Sequence, residues 1–592
     1  MLGKVIKIDE NIVDIKLTIS EDEQSEIINK HIVFESKNSN LVGEVLSIDN
    51  GVARILLVGE FYDNKFIPGA IKKPELTASI RTINKNELNL LIGIEPNKQN
   101  EYFCLGNTYI YNNHPINIKY NDFFSSHFAI FGNTGSGKSC SIARIIQNVF
   151  SKANPIAYKA NMFIFDVYGE YNNAFRDINK TFPNINSKIF STNLNQADDE
   201  IINIPFYLLG LDDIALLLNA TDPIQLPILQ KALKLVQIFG RKEEEVIKYK
   251  NSIIARALQQ ILYSGRTPSQ IRDQILAVLS TFNTTELNSE SKIVQPGYVR
   301  TLKQCLIIDS SGKINEMQLV SDFIKSFIDD NLELNVPTES YPYTLENFEE
   351  ALEFALISEG ILKSDKIYDQ TNLLRVRMQS LINSEERKFF ETGNYVSKEE
   401  YIKRLLTTKD GKKAQILNFN MNYIDDRLAK VIVKIYSKML FDFSTKLKNR
   451  ASFPFHIIVE EAHRYIQNDD LDTKLLGYNI FDRIAKEGRK YGVILGLISQ
   501  RPSELSETAL SQCSNFLVFR MLHPKDLAYV EQMVPDITTE IAKKLKTLQI
   551  GTCIGFGSSF KIPIIIRVQL PMPMPASSNC DIMETWFLNL NW

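Results

Sequence analysis

At 592 residues the chain is too long for one hydrophobic core, so three or four structural units are expected. Apolar residues at 44% and charged residues at 23% are those of an ordinary soluble globular protein. A net charge of -3 excludes a globally basic nucleic-acid binder, so any DNA-contacting surface has to be local, as in the pore of a ring. Six cysteines (Cys104, Cys140, Cys305, Cys513, Cys553, Cys580) contain no CxxC pair, which argues against zinc ribbons and disulfide frameworks and fits a reducing compartment. The opening MLGKVIKIDENIVDIKL sets Lys, Asp and Glu inside any apolar core, unlike a signal peptide. No apolar run approaches the ~20 residues that span a bilayer, and the expected location is the cytoplasm, with no membrane partner.

Residues 1–90 alternate apolar and polar positions in short runs such as KVIKI, NIVDIKLTI and NLVGEVLSI, with turn residues such as Asp49-Asn50-Gly51 between them. They predict a small all-β unit, a barrel, with an assembly or docking role. From 91 to 205 the pattern becomes strand, loop, helix. HFAIF (127–131) reads as a buried strand, Ile142, Ile145, Ile146, Val149 and Phe150 recur at helical spacing, and MFIFD (162–166) reads as the next strand. Residues 206–412 carry mostly helical periodicity and predict an α-helical insertion between two halves of an α/β domain. Strand patterns return over 413–575 in AQILNF, FHIIVEE, YGVILGLIS, NFLVF, GTCIGF and IPIIIRV. Alternation with helices predicts a mostly parallel sheet, with its sites at the strand C-terminal ends. Residues 576–592 follow alternating prolines and read as an extended arm ending in Trp586, Phe587 and Trp592.

The chemistry concentrates at Gly132-Asn133-Thr134-Gly135-Ser136-Gly137-Lys138-Ser139, followed by Cys140. This is G-x-x-x-x-G-K-[ST] between a strand and a helix. Glycines let backbone N–H groups converge on phosphate oxygens, and the helix start adds its positive dipole end. Lys138 is expected to reach the β- and γ-phosphates and Ser139 to ligate magnesium. The apolar strand ending in Val459-Glu460-Glu461-Ala462-His463 delivers two carboxylates. Glu460 is expected to support the magnesium shell through water, and Glu461 to polarise the attacking water; a solvated acidic turn is the plain alternative. Gln500, after YGVILGLIS, is placed to sense the γ-phosphate or position water. In FDRIAKEGRKYG, Arg489 is the first candidate for an arginine supplied across a subunit boundary and Arg483 the second, against a basic helix end that merely complements its dipole. Asp166 and Glu170, after the MFIFD strand, either order magnesium waters or cap a turn.

These pieces, in this order, resemble the HerA family of the FtsK–HerA superfamily of ATPases. The matching stretches are HFAIFGNTGSGKS, FIFDVYGEY, IINIPFYLLGLDDIALLL, HIIVEEAHRYI, RIAKEGRKYGVILGLISQRP and LKTLQIGTCIGFGSSFKIPIIIRV, together with VARILLVGEF and PGAIKKP in the opening β unit. The likeness is weakest over 220–410 and in the last twenty residues. It implies an α/β fold with a RecA-like P-loop NTPase core, an N-terminal β-barrel and an α-helical insertion. It further implies a homohexameric ring that binds ATP and Mg2+ at subunit interfaces and threads double-stranded DNA through its pore, coupling hydrolysis to translocation. Family members work with a partner: a nuclease of the NurA type in DNA end processing and repair, or a sirtuin-like NAD hydrolase or another nuclease in anti-phage defence, towards which the long helical insertion leans. A ring that serves chiefly as a nucleotide-regulated scaffold for such an effector is the alternative; a transport or secretion ATPase is a third reading, lowered by the HerA-like barrel and the lack of a membrane segment.

Overall fold

The computed structural model describes residues 2–36, 39–93, 99–151, 156–195, 199–240, 243–329, 342–359, 365–391, 393–468, 471–535, 537–576 and 582–587. The chain divides into two compact units, one comprising Met1–Ile201, Glu399–Asp470 and Tyr478–Trp592, the other Ile202–Lys398 and Leu471–Gly477.

The first unit opens with β1 (Gly3–Asp9), β2 (Ile12–Leu17), β3 (His31–Ser36), β4 (Ser39–Asp49), β5 (Val52–Tyr62), β6 (Lys65–Pro68) and β7 (Ser79–Thr82). They form an antiparallel sheet in the order β1-β2-β5-β4-β3-β7, with β6 paired to β5. Alternation turns Val13, Ile15, Ile32, Phe34, Leu41 and Ile55 inward, where they are buried. Register shifts in the β4–β5 ladder bend these long strands. The Leu2 N–H donates to the Ile80 carbonyl at 2.8 Å, so the two ends of the curled sheet meet in a barrel-like closure.

The second sheet of this unit begins with β8 (Tyr102–Thr108), β9 (His114–Lys119), β10 (His127–Phe131), β11 (Met162–Asp166), β12 (Ser187–Ser191) and β13 (Glu200–Ile201). In the second unit the chain is mainly helical, with long helices such as Gln225–Phe239, Glu243–Leu262 and Leu345–Glu359. It also contains an antiparallel hairpin, β14 (Lys292–Gln295) and β15 (Tyr298–Thr301), turning at Pro296-Gly297. The helical periodicity of the surrounding sequence hides this hairpin. The unit's main stretch, Ile202–Lys398, starts and ends earlier than the expected 206–412, and Leu471–Gly477 joins it. Residues 399–412 pack in the first unit: Tyr401, Ile402 and Leu405 are buried, the Lys188 ammonium donates to the Arg404 carbonyl at 3.1 Å, and the hydroxyls of Tyr401 and Tyr436 lie 3.0 Å apart. An amphipathic stripe announces a helix but not the surface that will cover it.

The remaining strands are β16 (Ile416–Asn420), β17 (Phe455–Val459), β18 (Val493–Ser499), β19 (Cys513–Phe519), β20 (Thr552–Gly557) and β21 (Ile564–Arg567). The sheet order is β13-β12-β16-β11-β17-β18-β10-β19-β20-β21-β8-β9. From β13 to β19 every pairing is parallel; β20, β21, β8 and β9 extend it antiparallel. The P-loop strand β10 is separated from the acid strand β17 by β18, which is the RecA-like arrangement. The loops after β10, β11, β17 and β18 therefore leave one edge of the sheet side by side. Ile142, Ile145, Ile146, Val149 and Phe150 of the helix Lys138–Phe150 are buried in the core on this sheet. In the tail, the described residues Ile582–Phe587 form a short helix where an extended arm was expected, with Trp586 74% exposed; Trp592 lies outside the described residues.

Candidate nucleotide-binding site

The loop Gly132–Gly137 links β10 to the helix Lys138–Phe150. Gly137 stands at the helix start with φ +95°, and a Cβ there would lie 2.8 Å from the Gly551 nitrogen, so two constraints reserve the position for glycine. Its neighbours brace the loop. The Gly551 N–H donates to the Ser136 carbonyl at 2.9 Å, and the Asn133 N–H to the Arg520 carbonyl at 2.9 Å. The Lys138 ammonium is buried and folds into the loop, donating to the carbonyls of Gly132 (2.7 Å) and Asn133 (3.0 Å). Burial pushes its pKa down, while the charges of Glu461, Glu460 and Glu170 pull it up. Ser139 and Cys140, on the first turn of the helix, are half-buried.

β17 ends in two buried carboxylates, Glu460 and Glu461, 5% and 7% exposed. Burial raises the Glu460 pKa well above the ordinary carboxylate range, and neighbouring Asp166 and Glu170 raise it further. Burial also raises Glu461, opposed by Lys138 and by the Gln500 backbone N–H. Glu461 is held at φ 44°, ψ 48°, a left-handed conformation that costs a non-glycine residue about 1–2 kcal/mol. Such strain concentrates at functional sites.

Asp166 is fully buried at the end of β11, with its oxygens already engaged. Oδ1 accepts the Glu170 N–H at 3.1 Å; Oδ2 accepts the Tyr171 N–H at 2.9 Å and the Asn418 side-chain N–H at 3.1 Å. This geometry favours turn capping, the alternative reading of the segment, over ordering metal waters. Glu460 Oε2 and Glu170 Oε2 are buried without a hydrogen-bond partner. Two orphaned oxygens beside a strained glutamate suit a cation. Among the described residues no set of three or more His, Cys, Asp or Glu side chains forms a metal cage. A metal drawing only one or two protein oxygens, with phosphate and water as its other ligands, fits the habit of Mg2+.

β18 brings Gln500 against the loop: the Thr134 hydroxyl donates to Gln500 Oε1 at 2.5 Å. The two arginine candidates are not brought to this cleft. The helix Ile480–Tyr491 ends where β18 begins, at the opposite edge of the sheet. There Arg489 is exposed, and Arg483, also exposed, lies over the Phe441 ring at 5.2 Å and 3.7 Å from Glu487.

Two features escape sequence reasoning, and a third, the contacts of His463, shows there only as a motif letter. His463 Nδ1 lies 3.1 Å from Ser499 Oγ and 3.2 Å from Glu461 Oε2. Arg520, whose carbonyl holds Asn133, has a buried Nε without a partner. Beside the helix start lies a cleft of about 470 Å³, lined by Gly137, Cys140, Tyr109, Ile550, Arg567 and Leu570, in which the Arg567 guanidinium sits 5.5 Å from the Tyr109 ring centre. His463 was legible as the last letter of EEAH; nothing local pairs Tyr109 with Arg567, 458 residues apart.

The family model described as "Helicase HerA, central domain" matches residues 103–328. The "Probable DNA double-strand break repair helicase HerA" of Methanocaldococcus jannaschii is 22% identical over 548 residues, covering 93% of this chain and 91% of that protein. The "DNA double-strand break repair helicase HerA" of Saccharolobus solfataricus is 27% identical over 180 residues (30% of this chain), and that of Sulfurisphaera tokodaii 23% over 287 (46% of this chain); the match spans 35% and 57% of those relatives' lengths. Among solved structures, VirB4 of Thermoanaerobacter pseudethanolicus aligns with a TM-score of 0.39 at 11% identity, covering 79% of this chain and 96% of that one. The braced phosphate loop and the acid pair one strand away thus lie in a chain that is similar to HerA helicases over its central segment and, to one of them, over almost its whole length.

Proposed function

We propose that the chain is an ATP-hydrolysing DNA translocase of the helicase type, acting as a homohexameric ring around double-stranded DNA and driving a nuclease or sirtuin-like NAD-hydrolysing effector. The observation that carries the hydrolytic part is Glu461: a buried carboxylate in a strained backbone conformation at the end of the strand that faces the P-loop. Lys138 exchanges its two loop carbonyls for β- and γ-phosphate oxygens. Backbone N–H groups from Gly132 to Ser139 surround the phosphates, and the base and ribose enter the cleft lined by Cys140, Tyr109 and Arg567. Ser139 would hold Mg2+ directly, with Glu460 and Glu170 ordering its waters and Asp166 fixing the turn that carries Glu170. The metal's contribution is to neutralise charge on the phosphates. Glu461 takes the proton of the attacking water, and Gln500, tethered to Thr134, registers the γ-phosphate end. Arg489 serves the pocket of a neighbouring copy, which accounts for its exposed position away from its own loop.

The test is hydrolysis of ATP with and without linear duplex DNA. The wild-type chain is expected to be stimulated by DNA, with stimulation falling steeply as salt rises. Lys138→Ala and Glu461→Gln are expected to abolish turnover, the second while still binding ATP. Hydrolysis indifferent to DNA refutes the motor reading. A second reading, a motor in DNA end repair, is supported by the names of the archaeal relatives; cells lacking the chain that become sensitive to double-strand breaks, with phage sensitivity unchanged, select it.

A further inference from the structure

His463 stands between two parts of the hydrolytic site without an assigned task. Its Nδ1 lies 3.2 Å from Glu461 Oε2 and 3.1 Å from Ser499 Oγ. Ser499 is the last residue of β18 and directly precedes Gln500. Its Oγ accepts the Arg501 N–H at 2.9 Å, which fixes the hydroxyl at the strand end. Glu461 Oε2 is buried and has no aligned hydrogen bond, although His463 Nδ1 is within reach. The side chains of both residues are almost buried, at 12% and 9% exposure, so water does not substitute freely for the missing donor. Catalytic hydrogen bonds often start long or misaligned and tighten when the reacting complex assembles.

We propose that His463 is a positioning residue for hydrolysis: as the neutral Nδ1–H tautomer it donates to Glu461 Oε2 and Ser499 Oγ, pinning the general base to the end of the γ-phosphate-sensing strand. This rests on the assignment of Glu461 as the base. The consequence is mechanical. Glu461 follows β17 in a strained turn, and with the Gln500 backbone N–H as its other donor its carboxylate still has a choice of rotamers. Tied to Ser499, it moves with Gln500, which is itself tied to Thr134 of the P-loop at 2.5 Å. Base, sensor and phosphate loop then form one connected chain of hydrogen bonds. The neutral state is the one the surroundings favour, because burial lowers the His463 pKa, and Arg501 and Arg464 lower it further against the opposing charges of Glu504 and Asp526.

The experiment compares His463→Ala, His463→Asn and His463→Gln in the full chain, reading kcat and KM for ATP with saturating linear duplex DNA. The Asn amide nitrogen falls near the place of Nδ1, the Gln amide near that of Nε2. Partners that orient a reactive group are typically worth about 10–100-fold. His463→Ala is expected to lower kcat by that factor with KM changed less than about twofold, His463→Asn to recover most of it, and His463→Gln to recover little. An unchanged kcat in His463→Ala, or equal effects of Asn and Gln, overturns the proposal. If His463→Ala does not fold, Ser499→Ala carries the same test, with the same kcat-specific loss expected. Should Glu461→Gln alone hydrolyse ATP at the wild-type rate, the base assignment fails first; with Glu461→Gln inactive and His463→Ala normal, only the positioning role fails.

Discussion

Acid should loosen the catalytic unit through one histidine. His127 opens the P-loop strand β10 and is fully buried. Its Nε2 lies 3.0 Å from the Ala485 carbonyl, and its Nδ1 accepts the Leu495 N–H at 2.9 Å, so one ring joins β10, β18 and the helix that carries Arg489. The ring must be neutral to accept at Nδ1. Burial first, then the nearby Arg489 and His456 charges, lower its pKa from 6.5 to about 4, against the opposing hydrogen bond to Ala485. Because the folded pKa lies below the unfolded one, the unfolded chain takes up the proton first. The stabilisation is complete above pH 6.5 and is lost as pH falls from 6.5 towards 4. At about 1.4 kcal/mol per pH unit, linkage gives a loss of about 2 kcal/mol at pH 5 and about 3 kcal/mol at pH 4. The assay is urea unfolding followed by far-UV circular dichroism, at pH 7.5 and pH 5, for wild type and His127→Asn. The variant starts less stable by about 1–3 kcal/mol, since it leaves a buried carbonyl unpaired, but between the two pH values it should lose about 2 kcal/mol less than wild type. Equal acid losses in the two proteins refute the argument.

Two further outcomes follow from the site. Glu461→Gly removes the left-handed penalty of about 1–2 kcal/mol but adds glycine's backbone entropy, so stability should rise by about 0.5–1 kcal/mol while hydrolysis disappears; a lower urea midpoint contradicts the strain assignment. Arg489→Ala and Lys138→Ala, each inactive alone, should regain hydrolysis when mixed, because some interfaces then join an intact loop to an intact arginine; no recovery in the mixture rules out Arg489 as the residue supplied in trans.

Much of this site is legible along the chain because its parts are short-range. The P-loop pattern fixes its own backbone: Gly137 must take a positive φ where no Cβ fits, and the helix that follows shows its apolar stripe at Ile142, Ile145 and Ile146. The strand before Glu460 is equally plain, since five buried residues in a row leave two acids at its end. What the sequence hides is who meets whom. Asp166 reads equally as an acid that orders magnesium waters and as a turn cap, and the N–H groups of Tyr171, Glu170 and Asn418 that it accepts favour the cap. Residues 399–412 carry a helical stripe that fits either neighbouring unit. The antiparallel extension β20-β21-β8-β9 joins the chain's early and late segments, a pairing no local periodicity announces.

The brace that Gly551 gives to Ser136 has a practical consequence for anyone dissecting this protein. A fragment cut to the recognisable central segment, 103–328, would retain the signature glycines yet lose the backing that keeps them in shape, along with both glutamates and the glutamine. Such a piece would advertise an ATPase by its letters while lacking the means to be one; only a chain running past β20 and β21 can close the pocket from behind.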